Sequence, residues 1–168
     1  PNRLVERCIQ ATIENGVICV ADSQSSSQIG DVSRYKNMTL ISATEREARI
    51  SLRDHDDGLT VIANKLRDEA KAKNVLLKLG ADGVLLHMES GDGGVFTNEL
   101  PALNLNPTDV AGAGDSMLIA SGLSLAAGAT PWAAAVLGTY AAAIQVGRLG
   151  NKPLTQRELL TALQANFP

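Results

Sequence analysis

Cysteine is scarce, with two residues in 168, Cys8 and Cys19. Their number and spacing exclude a disulfide framework and fit no zinc motif, so both are expected to be reduced and buried. Aromatic residues make up only 3% of the chain, and the single tryptophan, Trp132, lies alone near an expected helix start and carries no signal. There is no excess of basic residues either. The net charge is −3 with both signs interspersed, which leaves no basic stripe for a nucleic-acid backbone. Nor is there a membrane-length apolar run, because the least polar stretch, 116–146, is rich in alanine and interrupted by Gly128, Thr130 and Pro131. No signal peptide is visible. What remains is a chain of one-domain length, 45% hydrophobic, able to build a core and expected in the cytoplasm.

The periodicity alternates between helix and strand. Leu4, Val5, Cys8, Ile9, Thr12 and Ile13 recur at helical spacing, Asn15-Gly16 stops that helix, and 17–20 reads as a buried strand. A polar serine-rich connection at 24–28 precedes a second short strand at 38–41. Helices are expected at 44–52 and 59–72, with an acidic solvated loop between them. A strand follows at 75–79, then a hairpin of 84–88 with 94–97 across the glycines at 91–93. Three helices close the pattern, at 114–127, 131–146 and 155–165, and Pro131 suits a helix first turn. Strands alternating with helices predict an α/β layer fold with a mainly parallel sheet, in which ligands sit at the carboxyl ends of strands.

The stretch Asp109-Val110-Ala111-Gly112-Ala113-Gly114-Asp115 concentrates the chemistry. A glycine-rich turn opens there into an apolar helix, whose first amides are unsatisfied and whose dipole is positive at that end, so a phosphate can approach the backbone closely. Asp115 faces such a phosphate as a proton acceptor, the role a carboxylate plays in phosphoryl transfer to an alcohol. The same residues also suit a plain structural role, with Gly112 and Gly114 allowing the turn and Asp115 complementing the helix dipole. Thr44-x-x-Glu47 likewise reads as a capping box at a helix start. Lys78 ends a buried strand, where it either meets a phosphate as a point charge or reaches solvent. Gly80 and Gly83 supply a tight turn.

Asp-Val-Ala-Gly-Ala-Gly-Asp-Ser at 109–116 resembles the second signature of the ribokinase-like (PfkB) carbohydrate kinases. Further matches follow in the expected order at Asp22, Arg34-Tyr35-Lys36, 42–47, Leu79-Gly80-Ala81-Asp82-Gly83 and Val146-Gly147-Arg148-Leu149-Gly150. The Arg-Tyr-Lys segment and the tail from Ala141 to Gly150 look most like heptose phosphate kinases. The resemblance covers the C-terminal half of the family's domain. It implies a three-layer ribokinase-like fold in which 1–168 form the nucleotide-binding and catalytic-base portion, without the N-terminal half that supplies most sugar contacts and the lid. It further implies ATP and Mg2+ as cofactors and a sugar or sugar phosphate as acceptor. Asp115 is then the general base, and the Gly112, Ala113 and Gly114 amides form the anion hole. Thr44 and Glu47 act around the phosphates and the magnesium water shell, Lys78, Gly80 and Gly83 lie by the nucleotide, and Thr139 lies near adenine. Asp109, Ala111, Arg148 and Gly150 fall in the two segments that hold a monovalent cation, K+, in many members, while Asp109 equally suits capping or ordering the loop.

Departures from the family pattern at Ser42, Ala43, Thr44, Lys78, Ala111 and Thr139 also fit a relative that has lost catalysis and binds a nucleotide or partner instead. A half-domain exposes sheet edge and apolar face, so self-association or pairing with the complementary half is expected, and the isolated piece is expected to be inactive. Asp54-His55-Asp56-Asp57 reads as a solvated loop rather than a metal site, and His87 as a satisfied, partly buried histidine.

Overall fold

A computed structural model describes residues 2–22, 31–91 and 93–166; the expected serine-rich connection at 24–28 lies outside them. The chain divides into two compact units, 1–79 with 85–99 and 80–84 with 100–168.

The first unit is built on a sheet. Its elements are α1 (Asn2–Glu14), β1 (Val20–Asp22), β2 (Leu40–Thr44), α2 (Glu45–Leu52), α3 (Leu59–Ala70), β3 (Asn74–Lys78), β4 (Val84–Glu89) and β5 (Val95–Leu100). The strands lie in the order β1-β2-β3-β4-β5. β1 to β3 are parallel, with Leu40 opposite both Val20 and Asn74. Five residues link β3 to β4, too few for a parallel crossover, and a turn in which the Ser90 amide donates to the Gly94 carbonyl (2.9 Å) joins β4 to β5. The sheet is therefore mixed, with its parallel part first. β2 and β3 are buried on both faces, as parallel strands under helices are, and Ile41, Ala43, Val75 and Leu77 pack with Ala48 of α2 and Ile62, Ala63 and Leu66 of α3.

Two strands begin later than the apolar runs suggest. Residues 17–19 precede β1 and 38–39 precede β2, the two segments being tied there by the Thr39 amide on the Cys19 carbonyl (2.8 Å). The expectation for α1 holds for its helicity and fails for its face. Ile9 packs on the core, but Leu4 and Ile13 stay more than half exposed, and Cys8 is exposed and Cys19 partly so, against the expected burial of both.

His87 on β4 is buried between α3 and β5, as expected of a satisfied histidine. Thr97 Oγ1 is 2.8 Å from its Nδ1, and Asn64 Oδ1 is 3.3 Å from its Nε2. The Asn64 amide nitrogen donates to Asp68, so the oxygen faces the ring, and a neutral imidazole protonated on Nε2 satisfies both partners. Burial, helped by the Arg67 charge, holds the His87 pKa below its ordinary 6.5. The unfolded chain therefore takes up a proton that the folded chain resists, and stability falls as pH drops below about 6.5. Urea midpoints compared at pH 7.5 and 5.5 are expected to show this loss, and a His87→Gln variant is expected to lose less over the same interval.

The second unit is helical. It holds α4 (Ala113–Ala126), α5 (Pro131–Val146) and α6 (Gln156–Asn166). α4 and α5 are joined by four residues, where Gly128 takes φ +87° and Thr130 caps α5 by accepting the Ala133 amide (3.2 Å) ahead of Pro131. They pack closely because Gly138 has no side chain. A Cβ there would overlap Ser121 Oγ, which donates across to the Ala134 carbonyl (3.0 Å). Among the described residues, no helix is long and apolar enough to cross a membrane.

Candidate functional site

In the second unit the glycine-rich stretch forms the turn into α4. Gly112 is the residue before the helix, at φ +76°, a left-handed conformation that a β-carbon disfavours, and a Cβ there would also overlap the Asn151 side chain. No side chain among the described residues caps α4. The Ala113 amide turns back to the Val110 carbonyl (3.3 Å), whereas the Gly114 and Asp115 amides have no partner among the described residues. Of the expected anion hole, Gly112 and Gly114 thus present amides without a partner among the described residues, and Asp115 adds a third in place of Ala113. Asp115 is the third residue of the helix, exposed, and its carboxylate has no hydrogen-bond or ionic partner among the described residues. Uncapped amides and a free carboxylate share one helix turn, the pairing that anion binding with proton acceptance requires.

The turn is fixed from behind. Asp109 accepts the Ala111 amide on Oδ1 (2.9 Å) and the Gly150 amide on Oδ2 (3.0 Å), and these bonds, Ala111 first, hold its carboxyl below the usual carboxylate range. Gln145, fully buried in the last turn of α5, donates from Nε2 to the Ala111 carbonyl (3.0 Å) and the Gly150 carbonyl (3.1 Å). Arg148 donates to Gln145 Oε1 from Nε (3.1 Å) and Nη2 (2.7 Å), and reaches the Lys152 carbonyl and Glu158. As placed, the four residues expected around K+ do not fit a bound cation. The Asp109 oxygens are held by amides, the two carbonyls by Gln145, and the Arg148 guanidinium has only donors. Sequence reasoning missed Gln145. Its signal was a lone amide side chain inside an otherwise apolar run, 141–146.

Thr139 lies buried on α5, and its hydroxyl donates to the Ala135 carbonyl of its own helix (2.9 Å). Gly80 at φ +65° has open space around it, while Gly83 at φ +95° lies so close to the Leu100 carbonyl and Ala102 amide that a side chain would overlap them. Gly83 therefore has a packing reason to be glycine.

In the first unit, three parallel strands bring Asp22, Thr44 and Lys78 to their carboxyl ends, with Asp22 opposite Ser42 and Thr44 opposite Lys78. Lys78 Nζ is 2.6 Å from Asp22 Oδ2, with each side chain 17% exposed, so the lysine spans β2 to an ion pair. On β2, opposite Asp22, the Ser42 hydroxyl is buried without a partner among the described residues. Thr44 and Glu47 make a complete capping box, the Thr44 amide donating to Glu47 Oε2 (2.7 Å) and the Glu47 amide to Thr44 Oγ1 (3.2 Å).

The 54–57 loop is structural. Asp54 Oδ1 accepts the amides of Asp56 and Asp57, Lys65 bridges the Asp54 and Asp57 carboxylates, and no group of three or more metal-type side chains occurs among the described residues.

The profile of the pfkB family carbohydrate kinases matches residues 1–156. The bifunctional protein HldE of Desulfatibacillum aliphaticivorans is 36% identical over 138 residues, 80% of this chain and 27% of the relative. That of Nitrosococcus oceani is 32% identical over 160 residues, 94% of this chain and 32% of the relative. The chain thus spans about a third of the length of these relatives. Arabidopsis thaliana ribokinase complexed with ribose and ATP matches with a TM-score of 0.81 at 19% identity, over 98% of this chain and 53% of that one. Escherichia coli phosphofructokinase-2 in complex with potassium matches with a TM-score of 0.80 at 19% identity, over 98% and 52%. These likenesses establish the expected three-layer ribokinase-like α/β fold, and with the profile match the chain belongs to the pfkB family of carbohydrate kinases.

Proposed function

We propose that the protein carrying this chain transfers a phosphoryl group from ATP to a hydroxyl of a sugar or sugar phosphate in the cytoplasm, with residues 1–168 as its nucleotide-binding and catalytic-base portion. One observation carries this reading. Asp115 stands exposed and, among the described residues, unpartnered beside the open Gly114 and Asp115 amides, in a chain of this family. In that mechanism Asp115 orients the acceptor hydroxyl and takes its proton, while the amides meet the charge that spreads over the transferred group. Magnesium supplies charge neutralisation on the nucleotide phosphates when bound, and Glu47 is the residue we assign near its water shell. Lys78 adds a point charge near the phosphates, set in place by Asp22. With its O–H donated inside α5, Thr139 has no proton left to give the base, which weakens any polar contact there.

The Arg34-Tyr35-Lys36 segment, the 141–150 tail and the HldE relatives make heptose 7-phosphate, phosphorylated at its anomeric hydroxyl, the acceptor to test first. The exposed apolar residues of α1 support association with a second copy or with a complementary N-terminal half. A non-catalytic relative that keeps a nucleotide or a partner is the second reading, favoured by the ion pair that engages Lys78. Magnesium-dependent ADP release by the intact protein, across hexoses, pentoses and heptose phosphates, separates the two. Acceptor-dependent release is expected. ATP binding with no release for any acceptor would turn the assignment to the second reading.

A further inference from the structure

We propose that the Gln145 side-chain amide takes the place of a bound monovalent cation, so that the phosphate-facing turn of this chain is organised without potassium. The inference rests on reading 109–115 as that turn, and its test does not require turnover.

Two carbonyls from separate segments, Ala111 and Gly150, converge on Gln145 Nε2 at 3.0 and 3.1 Å. Carbonyls facing one another repel, and something with positive character must lie between them. A desolvated cation does this with a full charge, and a terminal amide does it with two polarised N–H bonds. The orientation of that amide is fixed chemically. Arg148 has only donors, and two of them meet Oε1, so the NH2 end must face the carbonyls. The same two residues are gripped from the other side, their amides both donating to Asp109. Each residue thus has its N–H committed to the carboxylate and its C=O to the amide, the Gly150 oxygen accepting the Lys152 amide (3.0 Å) as well.

A cation could enter only by displacing Gln145, whose amide is fully buried and would be left without acceptors. It would also arrive next to the Arg148 guanidinium, which adds like charge to the same network. Gln145 is therefore a positioning residue. It holds Ala111, one residue before the Gly112 turn, and acts on the Gly114 and Asp115 amides through the backbone.

The test is the thermal unfolding of the intact protein in KCl, NaCl and choline chloride at equal ionic strength. The native protein is expected to melt within about 1 °C in all three salts, since no cation binds the folded state selectively. Gln145→Ala vacates the space between the carbonyls and is expected to melt lower in choline and to regain about 4 °C or more in KCl alone. Gln145→Glu keeps the shape, replaces the donor with an acceptor, and is expected to respond to potassium at least as strongly, which covers the case of an alanine variant that does not fold. Selective stabilisation of the native protein by potassium would overturn the proposal. So would a folded Gln145→Ala or Gln145→Glu protein that melts alike in all three salts. Because melting is read without substrate, a protein lacking kinase activity would undo the proposed reaction and leave this comparison intact.

Discussion

Replacing Asp115 with asparagine in the intact protein is expected to lower kcat about a thousandfold while leaving the nucleotide Kd within about threefold. Asparagine keeps the size of the side chain and its place at the third residue of α4, so the Gly114 and Asp115 amides stay open and the turn keeps its anchors at Asp109 and Gln145. What disappears is the proton acceptor. Because the native carboxylate has no partner among the described residues, its removal breaks no internal bond, and a fall in turnover cannot be assigned to local unfolding. Stability is expected to stay close to the parent's, since a helix-dipole contribution from an exposed first-turn carboxylate is worth only about 0.3–1 kcal/mol. Steady-state rates, nucleotide titration and a melting curve on the same preparation test all three statements. An asparagine variant that turns over within tenfold of the parent would remove Asp115 from the mechanism.

Local chemistry was legible where the sequence itself supplies both partners. Thr44 and Glu47 lie three residues apart and close their capping box within one turn, so the start of α2 follows from spacing alone. Gly112 and Gly128 both announce backbone that a side chain disfavours, and both take positive φ. Partners distant in sequence could not be read. β1 begins three residues after its apolar run because its ladder is set by β2, twenty residues on, and the stripe on α1 gives its helicity without saying that Leu4 and Ile13 face solvent. The same limit applies to the functional residues. Lys78 was recognisable as a strand-end cation, but its bond to Asp22 spans 56 positions. Gln145 could be noticed as a polar residue in apolar company. Its job depends on Ala111, 34 positions away, and on the Arg148 donors that orient it.

The α4–α5 contact makes the second large prediction. Gly138→Val is expected to destabilise the fold by about 3 kcal/mol, read as a lower urea midpoint. A β-carbon at 138 meets Ser121 Oγ, and it also comes within 2.9 Å of the Met117 carbonyl oxygen and 3.1 Å of Met117 Cγ. The serine can rotate away only by giving up its buried bond to the Ala134 carbonyl, and the Met117 oxygen is backbone, which moves only if α4 moves. Valine's added helix strain comes on top, whereas alanine at 138 would gain about 1 kcal/mol of helix propensity against the same overlap. The serine's share is separable. Ser121→Ala alone should cost about 1 kcal/mol through the lost bond. Ser121→Ala with Gly138→Ala should cost less than the sum of the two single changes, by about 1 kcal/mol, because the oxygen that makes the bond is the one that obstructs the new methyl. Additive single and double variants would place the obstruction wholly on the Met117 backbone, and an unchanged midpoint for Gly138→Val would show that α4 and α5 can part without cost. The second outcome would also bear on the site, since α4 carries Asp115 and α5 carries Gln145, and the turn between Asp109 and Asp115 keeps its shape only while both helices hold their places.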